Sequence, residues 1–350
     1  MASRSDLTRL QAVFRRFAEQ ETVRSSPLYT RLSLLIAEDP ELLAVAASSP
    51  PNQPAANLFL AALHARLAEQ PDHPLARFYP DLTEPDGRAE SEGELREALH
   101  DFVRTDRAAL EHLQATQRVQ TNEVNRCAFL MPVFLEIARR ESGRPLALIE
   151  LGCSAGLNLC WDHYGYTYDD GPARDPERAV QIRSVWRGDR RPNLGGPWPT
   201  VERRIGLDLN PLDLTNPGDR RWLQALIWPE HAERLARLAA AADVVATVRP
   251  RLVRGDAVAR WPVELEAVPR EVTAVVFHTF VANQFDAAMQ ERFALSLEAA
   301  SRNRTFYHVF NNMDHGPEIR VERRGPGGFE STVVAAVEGH GRWIEWLVTS

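Results

Sequence analysis

Glu150, Gly152, Ser154 and Gly156 stand within seven residues of one another, and their types and spacing set a chemical expectation. They fall in LALIELGCSAGLNL, residues 146–159, where an apolar run meets a carboxylate and then a turn of small residues. A strand, a glycine turn and a helix start in that order are where α/β proteins seat a nucleotide-like ligand. Glycine lets the backbone turn sharply and approach a ligand with no Cβ in the way. A helix start aims its free N–H groups into the crevice. The dinucleotide fingerprint G-x-G-x-x-G wants a second glycine where this chain has Ser154, so the turn reads G-x-x-x-G. An acid two residues before the first glycine repels a pyrophosphate and suits a cationic or amine-bearing ligand. The plainer alternative is a glycine turn that only packs a helix on a strand.

Three later segments come in the order such a sheet requires. Residues 204–211, RIGLDLNP, form a short apolar strand ending at Asp208, with Leu209 next. Residues 251–257, RLVRGDA, form another, followed by Asp256 and Ala257, and residues 271–280, EVTAVVFHTF, a fully apolar one carrying His278. Together the four segments resemble the class I S-adenosylmethionine-dependent methyltransferases. That resemblance implies S-adenosylmethionine as cofactor, a ligand with an ammonium, a sulfonium and no phosphate. It implies Glu150, Gly152, Cys153, Ser154, Gly156 and Asn158 around it. Asp208 and Leu209 would lie at the ribose, whose two hydroxyls a carboxylate can accept together, and Asp256 and Ala257 at the adenine amino group. More narrowly, QTNEVNR, ELGCSAGLNLCWDHYGYTY, VQIRSVWRG, IGLDLNPLDLTNP and VVFHTF resemble an uncharacterised bacterial domain-of-unknown-function family over nearly the whole chain. This second resemblance implies fold and brings no substrate.

One departure stands out. Asp208 lies 58 residues after Glu150 (208 − 150), whereas the second-strand acid usually follows the turn by roughly 20. The excess, about 164–203, holds an Asp170-Gly171 turn signal, a strand-like alternation at 180–183 and a Pro/Gly/Trp-rich end. It reads as a β-hairpin-like insertion, either folded over the pocket or a surface excursion.

The elements that must position these residues give an α/β fold. It is a Rossmann-like, class I methyltransferase-like, mainly parallel sheet over 141–350, after an all-helical region over 1–140. Leu7, Leu10, Val13, Phe14 and Phe17 share one helical face, and periodic segments follow at 28–47, 55–69, 94–114 and 117–140. A helix at 286–301, a strand at 304–310 and strand-like runs at 318–324, 330–337 and 341–348 complete the sheet, the last three antiparallel. Near the end of the helical region, Asn122 and Arg126 fall on one helical face and could grip a ligand carboxylate. The alternative is a capped, solvent-facing first turn.

The acceptor-side candidates are His278, whose titration near neutral pH suits a general base, and Asp162 and Tyr164 after the turn. Asn311, Asn312, Asp314 and His315 form a second polar group, although such runs are commonly turns. Methyl transfer needs alignment first and a base only where the acceptor must lose a proton. His278 could equally be a structural histidine.

Net charge −7, with all 41 basic residues arginine, disfavours a nucleic-acid partner. No apolar run approaches a membrane span. The first residues lack a secretory core, and 3 cysteines suit a reducing cytoplasm. No C-x-x-C or H-E-x-x-H pattern offers a metal site. The expectation is a cytoplasmic methyltransferase for a small molecule, enclosed by the helical region and the insertion in front of His278. A non-catalytic scaffold that binds S-adenosylmethionine or a nucleotide is the alternative. A nicotinamide-dependent dehydrogenase is disfavoured by Ser154.

Overall fold

Leu146–Leu151 is apolar at every position but Glu150, so as a strand it needs cover on both faces, which is the situation inside a parallel sheet. The computed structural model, which describes residues 4–83, 91–120, 123–311 and 316–349, places it there. The strands are β1 (Leu146–Leu151), β2 (Gly165–Tyr168), β3 (Gln181–Arg187), β4 (Val201–Asp208) and β5 (Arg251–Arg254). They continue with β6 (Thr273–His278), β7 (Phe306–Asn311), β8 (Glu318–Gly325), β9 (Gly328–Val337) and β10 (Trp343–Trp346). Among the described residues they make one sheet in the order β2-β3-β10-β9-β8-β7-β6-β1-β4-β5.

β5, β4, β1, β6 and β7 run parallel, so the four strand-end motifs are neighbours in one sheet. From β1 the chain winds out to β4 and β5, then returns to the other side of β1 for β6 and β7. The reversal lies beside the Gly152 turn, and α/β sheets take ligands at such reversals. β8, β9 and β10 follow β7 as an antiparallel meander.

The insertion is not a hairpin. β2 and β3 pair parallel, and β3 joins the sheet through β10, again parallel. A hairpin would have needed antiparallel neighbours. Instead, residues 169–180 loop back, closed by the exchange of backbone hydrogen bonds between Tyr166 and Arg174 (2.9 and 2.8 Å).

The helices are α1 (Arg4–Arg16), α2 (Pro27–Glu38), α3 (Pro40–Ala46), α4 (Ala55–Leu67), α5 (Glu92–Thr105) and α6 (Arg107–Thr116). After them come α7 (Cys127–Arg140), α8 (Pro217–Ala225), α9 (Ala232–Val248), α10 (Ala257–Glu266) and α11 (Ala287–Ser301). The periodic run at 28–47 splits because Pro40 has no N–H to continue α2. Asp39 then caps α3 through Oδ1, which accepts from Glu41 N and Leu42 N at 2.8 and 3.1 Å.

Two compact units result: Met1–Thr121 with Thr215–Ala236, and Asn122–Leu214 with Arg237–Ser350. Helix α7 counts with the sheet unit. On one sheet face, Trp261 and Leu265 of α10 and Phe293 and Leu297 of α11 bury Ile149, Ala274 and Val276. On the other, Phe134 of α7 packs edge-on to Phe277 and tilted against Trp161. Among the described residues no helix is long and apolar enough to cross a membrane.

Candidate functional site

After β1 the chain turns through Gly152 (φ +69°), Ser154 (φ +50°) and Gly156 (φ +74°). Glycine takes such left-handed angles without strain, whereas Ser154 does so at a cost of about 1–2 kcal/mol. The turn is laced to its neighbours. Gly152 N and Cys153 N donate to Leu207 O at 2.8 and 3.3 Å, and Gly255 N donates to Asp208 O at 2.8 Å. The Asp208 carboxylate accepts Ser154 N on Oδ2 and Asn210 N on Oδ1, both at 2.8 Å. Asp208 thus stands where the carboxyl ends of β1, β4 and β5 meet, and Leu209 beside it is 64% exposed.

Glycine's clearance has a second use here. A Cβ on Gly152 would stand 2.5 Å from Val281 Cγ2, and one on Gly206 would stand 2.5 Å from Cys153 Sγ. The loop after β6 therefore presses on the turn, and Cys153 lies across β4. Burial pushes the Cys153 thiol well up, so it stays protonated and inert as a nucleophile.

Glu150 is the unusual group. It is 3% exposed, its Oε1 accepts Asn158 Nδ2 at 3.2 Å, and its Oε2 is buried without a partner. Burial raises its pKa to about 8, against the Asn158 hydrogen bond and the Arg126 charge, with Asp208 adding to the rise. Ser154 Oγ is a second buried, unpartnered atom in the same turn. A buried carboxyl with an idle oxygen is costly unless something supplies a donor.

The helix expected after the turn is not an α-helix. Leu157–His163 is a 3-10 segment with a non-helical Cys160 (φ −101°, ψ 17°). Side chains take the carbonyls that an α-helix would use internally. Tyr164 Oη donates to Leu157 O at 2.7 Å, Tyr166 Oη to Trp161 O at 2.6 Å, and Arg204 Nη1 to Leu159 O. The expected α-helix is therefore corrected to a tight, side-chain-tied 3-10 segment.

These contacts also correct the catalytic candidates. Tyr164 is fully buried, and burial pushes its hydroxyl well above 10. Asp162 is held by Arg204 in a two-pronged ion pair, Oδ1 to Nη1 at 2.6 Å and Oδ2 to Nη2 at 2.7 Å. His278 is 0% exposed and stacks on Phe310 with Phe293 at its edge. Its Nε2 lies 3.2 Å from His308 Nε2, and His308 Nδ1 lies 3.2 Å from Glu322 Oε2. Glu322 is held below the usual carboxylate range by His308 and Arg324 against the opposing effect of burial. His308 therefore donates from Nδ1, which leaves its Nε2 to accept from His278. Burial, then His308, depresses His278 far below its ordinary value. A buried neutral imidazole in core packing has no path to an acceptor's proton.

Asp256 is an α10 cap. Its Oδ1 accepts from Val258 N and Ala259 N at 2.9 and 3.4 Å, while Oδ2 pairs with Arg292 at 2.8 Å. Ala257 opens that helix. Both oxygens of this carboxylate are thus engaged by the protein, as are those of Asp208.

Arg126 is brought to the site, in a role the sequence did not suggest. It is 6% exposed, donates to Gly339 O at 3.1 Å and to Thr279 O and Oγ1 at 3.4 and 3.3 Å, and sits 4.4 Å from the Phe280 ring centroid. Phe280 takes φ +57°, rare for a bulky residue, and its N–H is held by Asn311 Oδ1 at 3.0 Å. Asn311 Nδ2 is also buried and unpartnered. Thr279, Phe280 and Val281 carry no sequence signal, because only their backbone geometry is unusual. Asn122, Asn312, Asp314 and His315 lie outside the described residues.

Glu150, Ser154, Asn158, Asp208, Leu209 and Arg126 thus gather at the β1/β4/β6 ends, whereas His278, Asp162 and Tyr164 are spent on the fold. Among the described residues no group of His, Cys, Asp or Glu side chains is placed to hold a metal ion. The sheet order, with the glycine turn at its reversal, defines a mixed α/β protein of Rossmann-like type. The chain belongs to a bacterial family described as "Uncharacterized protein conserved in bacteria (DUF2332)", whose model matches residues 11–346. No curated protein and no solved structure matches the chain.

Proposed function

We propose that the crevice at the carboxyl ends of β1 and β4 binds S-adenosylmethionine and that the protein is a methyltransferase for a small molecule. The observation that carries this reading is the buried, unpartnered Oε2 of Glu150 beneath the Gly152 turn. A ligand ammonium would supply the missing donor and convert a costly neutral carboxyl into half of an ion pair. The other residues fit the same group. Asp208 lies next to the turn, where the resemblance implies the ribose, and exposed Leu209 offers an apolar surface to a base.

S-adenosylmethionine brings an already activated methyl group, so the chain's contribution is binding and alignment. Glu150 and Asn158 orient the ammonium end, and Asp208 fixes the turn. Arg126 clamps the Thr279–Phe280 segment on the acceptor side. With His278, Asp162 and Tyr164 committed elsewhere, no base is assigned, and an acceptor that is nucleophilic without losing a proton fits best.

That same commitment favours a second reading, binding of the cofactor without turnover. Calorimetry with S-adenosylmethionine, S-adenosylhomocysteine and NAD in parallel tests the cofactor. Binding of the first two and not NAD is expected, and selective NAD binding or no binding rejects the assignment. Assaying S-adenosylhomocysteine release against pools of small amines, thiols and phenols then separates enzyme from scaffold.

A further inference from the structure

At the amino ends of β6 and β7, the opposite ends from the crevice, the sheet unit holds a recess of ≈ 240 Å³ lined by Arg144, Arg270, Arg304, Arg323, Glu141 and Thr273 among others. Four guanidinium groups face one carboxylate, an excess of three positive charges. Glu141 is already taken, by Tyr307 Oη at 2.9 Å, Arg323 Nε at 3.4 Å and Arg144 Nη1 at 3.9 Å. Arg144 donates to Glu271 O at 2.9 Å and to Arg270 O, and Arg270 to Asn303 O at 2.7 Å, so both are braced by backbone carbonyls.

Arg304 is 6% exposed. Its Nη1 donates to Leu265 O and Val268 O at 2.7 Å each and its Nη2 to Pro269 O at 3.4 Å, yet its Nε has no partner. Thr273, also 6% exposed, has an unpartnered Oγ1. A carbonyl clamp that ties the end of α10 to the start of β7 explains the two Nη groups. It leaves unexplained the idle Nε–H, the idle hydroxyl and the excess of positive charge. Burial, followed by repulsion from Arg270 and Arg144, weakens the hold of Arg304 on its proton, a strain that a bound anion would relieve.

We propose that this recess binds a small tetrahedral oxyanion, inorganic phosphate or the phosphate group of a monoester. Guanidinium forks match such oxygens two at a time, and Arg304 and Thr273, each with a buried polar atom that has no partner, line the same recess. The site stands independently of the methyltransferase reading.

The test is calorimetric titration of the full chain with inorganic phosphate and, separately, glycerol 3-phosphate, at constant ionic strength set by chloride. Thermal shifts are followed in parallel. Arg144 and Arg270 are exposed, so Arg144→Gln with Arg270→Gln should fold, and circular dichroism verifies it. Arg302→Gln, an exposed helix site paired with Glu298, is the control. Saturable binding, lost at least tenfold in the double variant and kept in the control, is expected. Tighter binding of glycerol 3-phosphate would identify a monoester as the ligand, and tighter binding of phosphate the free ion. No saturable binding of either, or equal binding by the double variant, overturns the proposal.

Discussion

If Glu150 receives a ligand ammonium, binding must expel a proton. The carboxyl titrates at about 8 because it is buried, so at pH 6.5 it is protonated in roughly 97% of unliganded molecules. Ionising it there costs about 2 kcal/mol, from about 1.4 kcal/mol per pH unit over the interval to 8. An ammonium at Oε2 returns the group toward its ordinary range, so close to one proton leaves per cofactor bound. Two readouts follow. Calorimetry of S-adenosylhomocysteine binding at pH 6.5, in two buffers of different ionisation heat, should give apparent enthalpies that differ by nearly the full difference between the two buffers' ionisation heats. The dissociation constant should also tighten about tenfold between pH 6 and pH 7. Glu150→Gln keeps the hydrogen bond to Asn158 and has no proton to lose, so both effects should vanish. Tight binding without proton release in the native protein would refute the ammonium pairing, even if the cofactor identity stood.

The same carboxyl makes a prediction about stability that needs no ligand. Its folded pKa lies above its unfolded value, so its contribution is fully present below about 4.5 and is lost as pH rises through about 8. Urea midpoints should therefore show Glu150→Gln gaining a few kcal/mol on the native protein between pH 5 and pH 9, and a constant offset would contradict this. His278 has the opposite sign: its depressed folded pKa gives stability that is present above about 6.5 and lost as pH falls. His278→Phe should flatten that acid-side loss, and an unchanged slope would mean that the imidazole is not buried neutral. Asp208→Ala should weaken S-adenosylhomocysteine by about 1.5–3 kcal/mol, with circular dichroism as the check on folding, and unchanged affinity removes Asp208 from the site. Gly152→Ala should cost about 2 kcal/mol or more from its positive φ and the Val281 contact. Val281→Ala should recover the contact part in a double-mutant cycle, and no recovery would place the strain elsewhere.

The parallel core was legible because β1, β4 and β5 each end in a local signal, a run followed by Gly or Asp, and β6 is a long apolar run. The partnering of β2 and β3 was not, because residues 169–180 loop back through the Tyr166–Arg174 bridge, whereas the Asp170-Gly171 turn signal reads as a hairpin, and β10, the other neighbour of β3, lies far along the chain. The direction of His278 was hidden for a different reason. β6 is buried on both faces, so its sequence has no alternation to say which face a side chain takes, and His308 lies 30 residues away. Tyr164 and Asp162 look like site residues because they are polar and follow the glycine turn. Their bonds to Leu157 O and to Arg204 instead show the cost of a kinked 3-10 segment in place of an α-helix. Glu150 was visible as an acid in the right place, but its idle oxygen belongs to three-dimensional packing alone.

The attachment of β3 to β10 also has a consequence for how the molecule is made. Synthesis reaches Trp343 only 156 residues after Arg187 (343 − 187). Until then the β2–β3 pair has no sheet to join, while its aromatic residues Tyr166, Tyr168 and Trp186 are already out of the ribosome. The parallel core from β1 to β7 can close around α10 and α11 well before that moment. The emerging chain therefore carries an open strand edge through much of its elongation, the kind of surface that invites mispairing between nascent chains. A chain cut short before Trp343 would not merely be missing an end. It would be left with two strands that have lost their place, and it should be recovered from cells as aggregate rather than as a smaller folded protein.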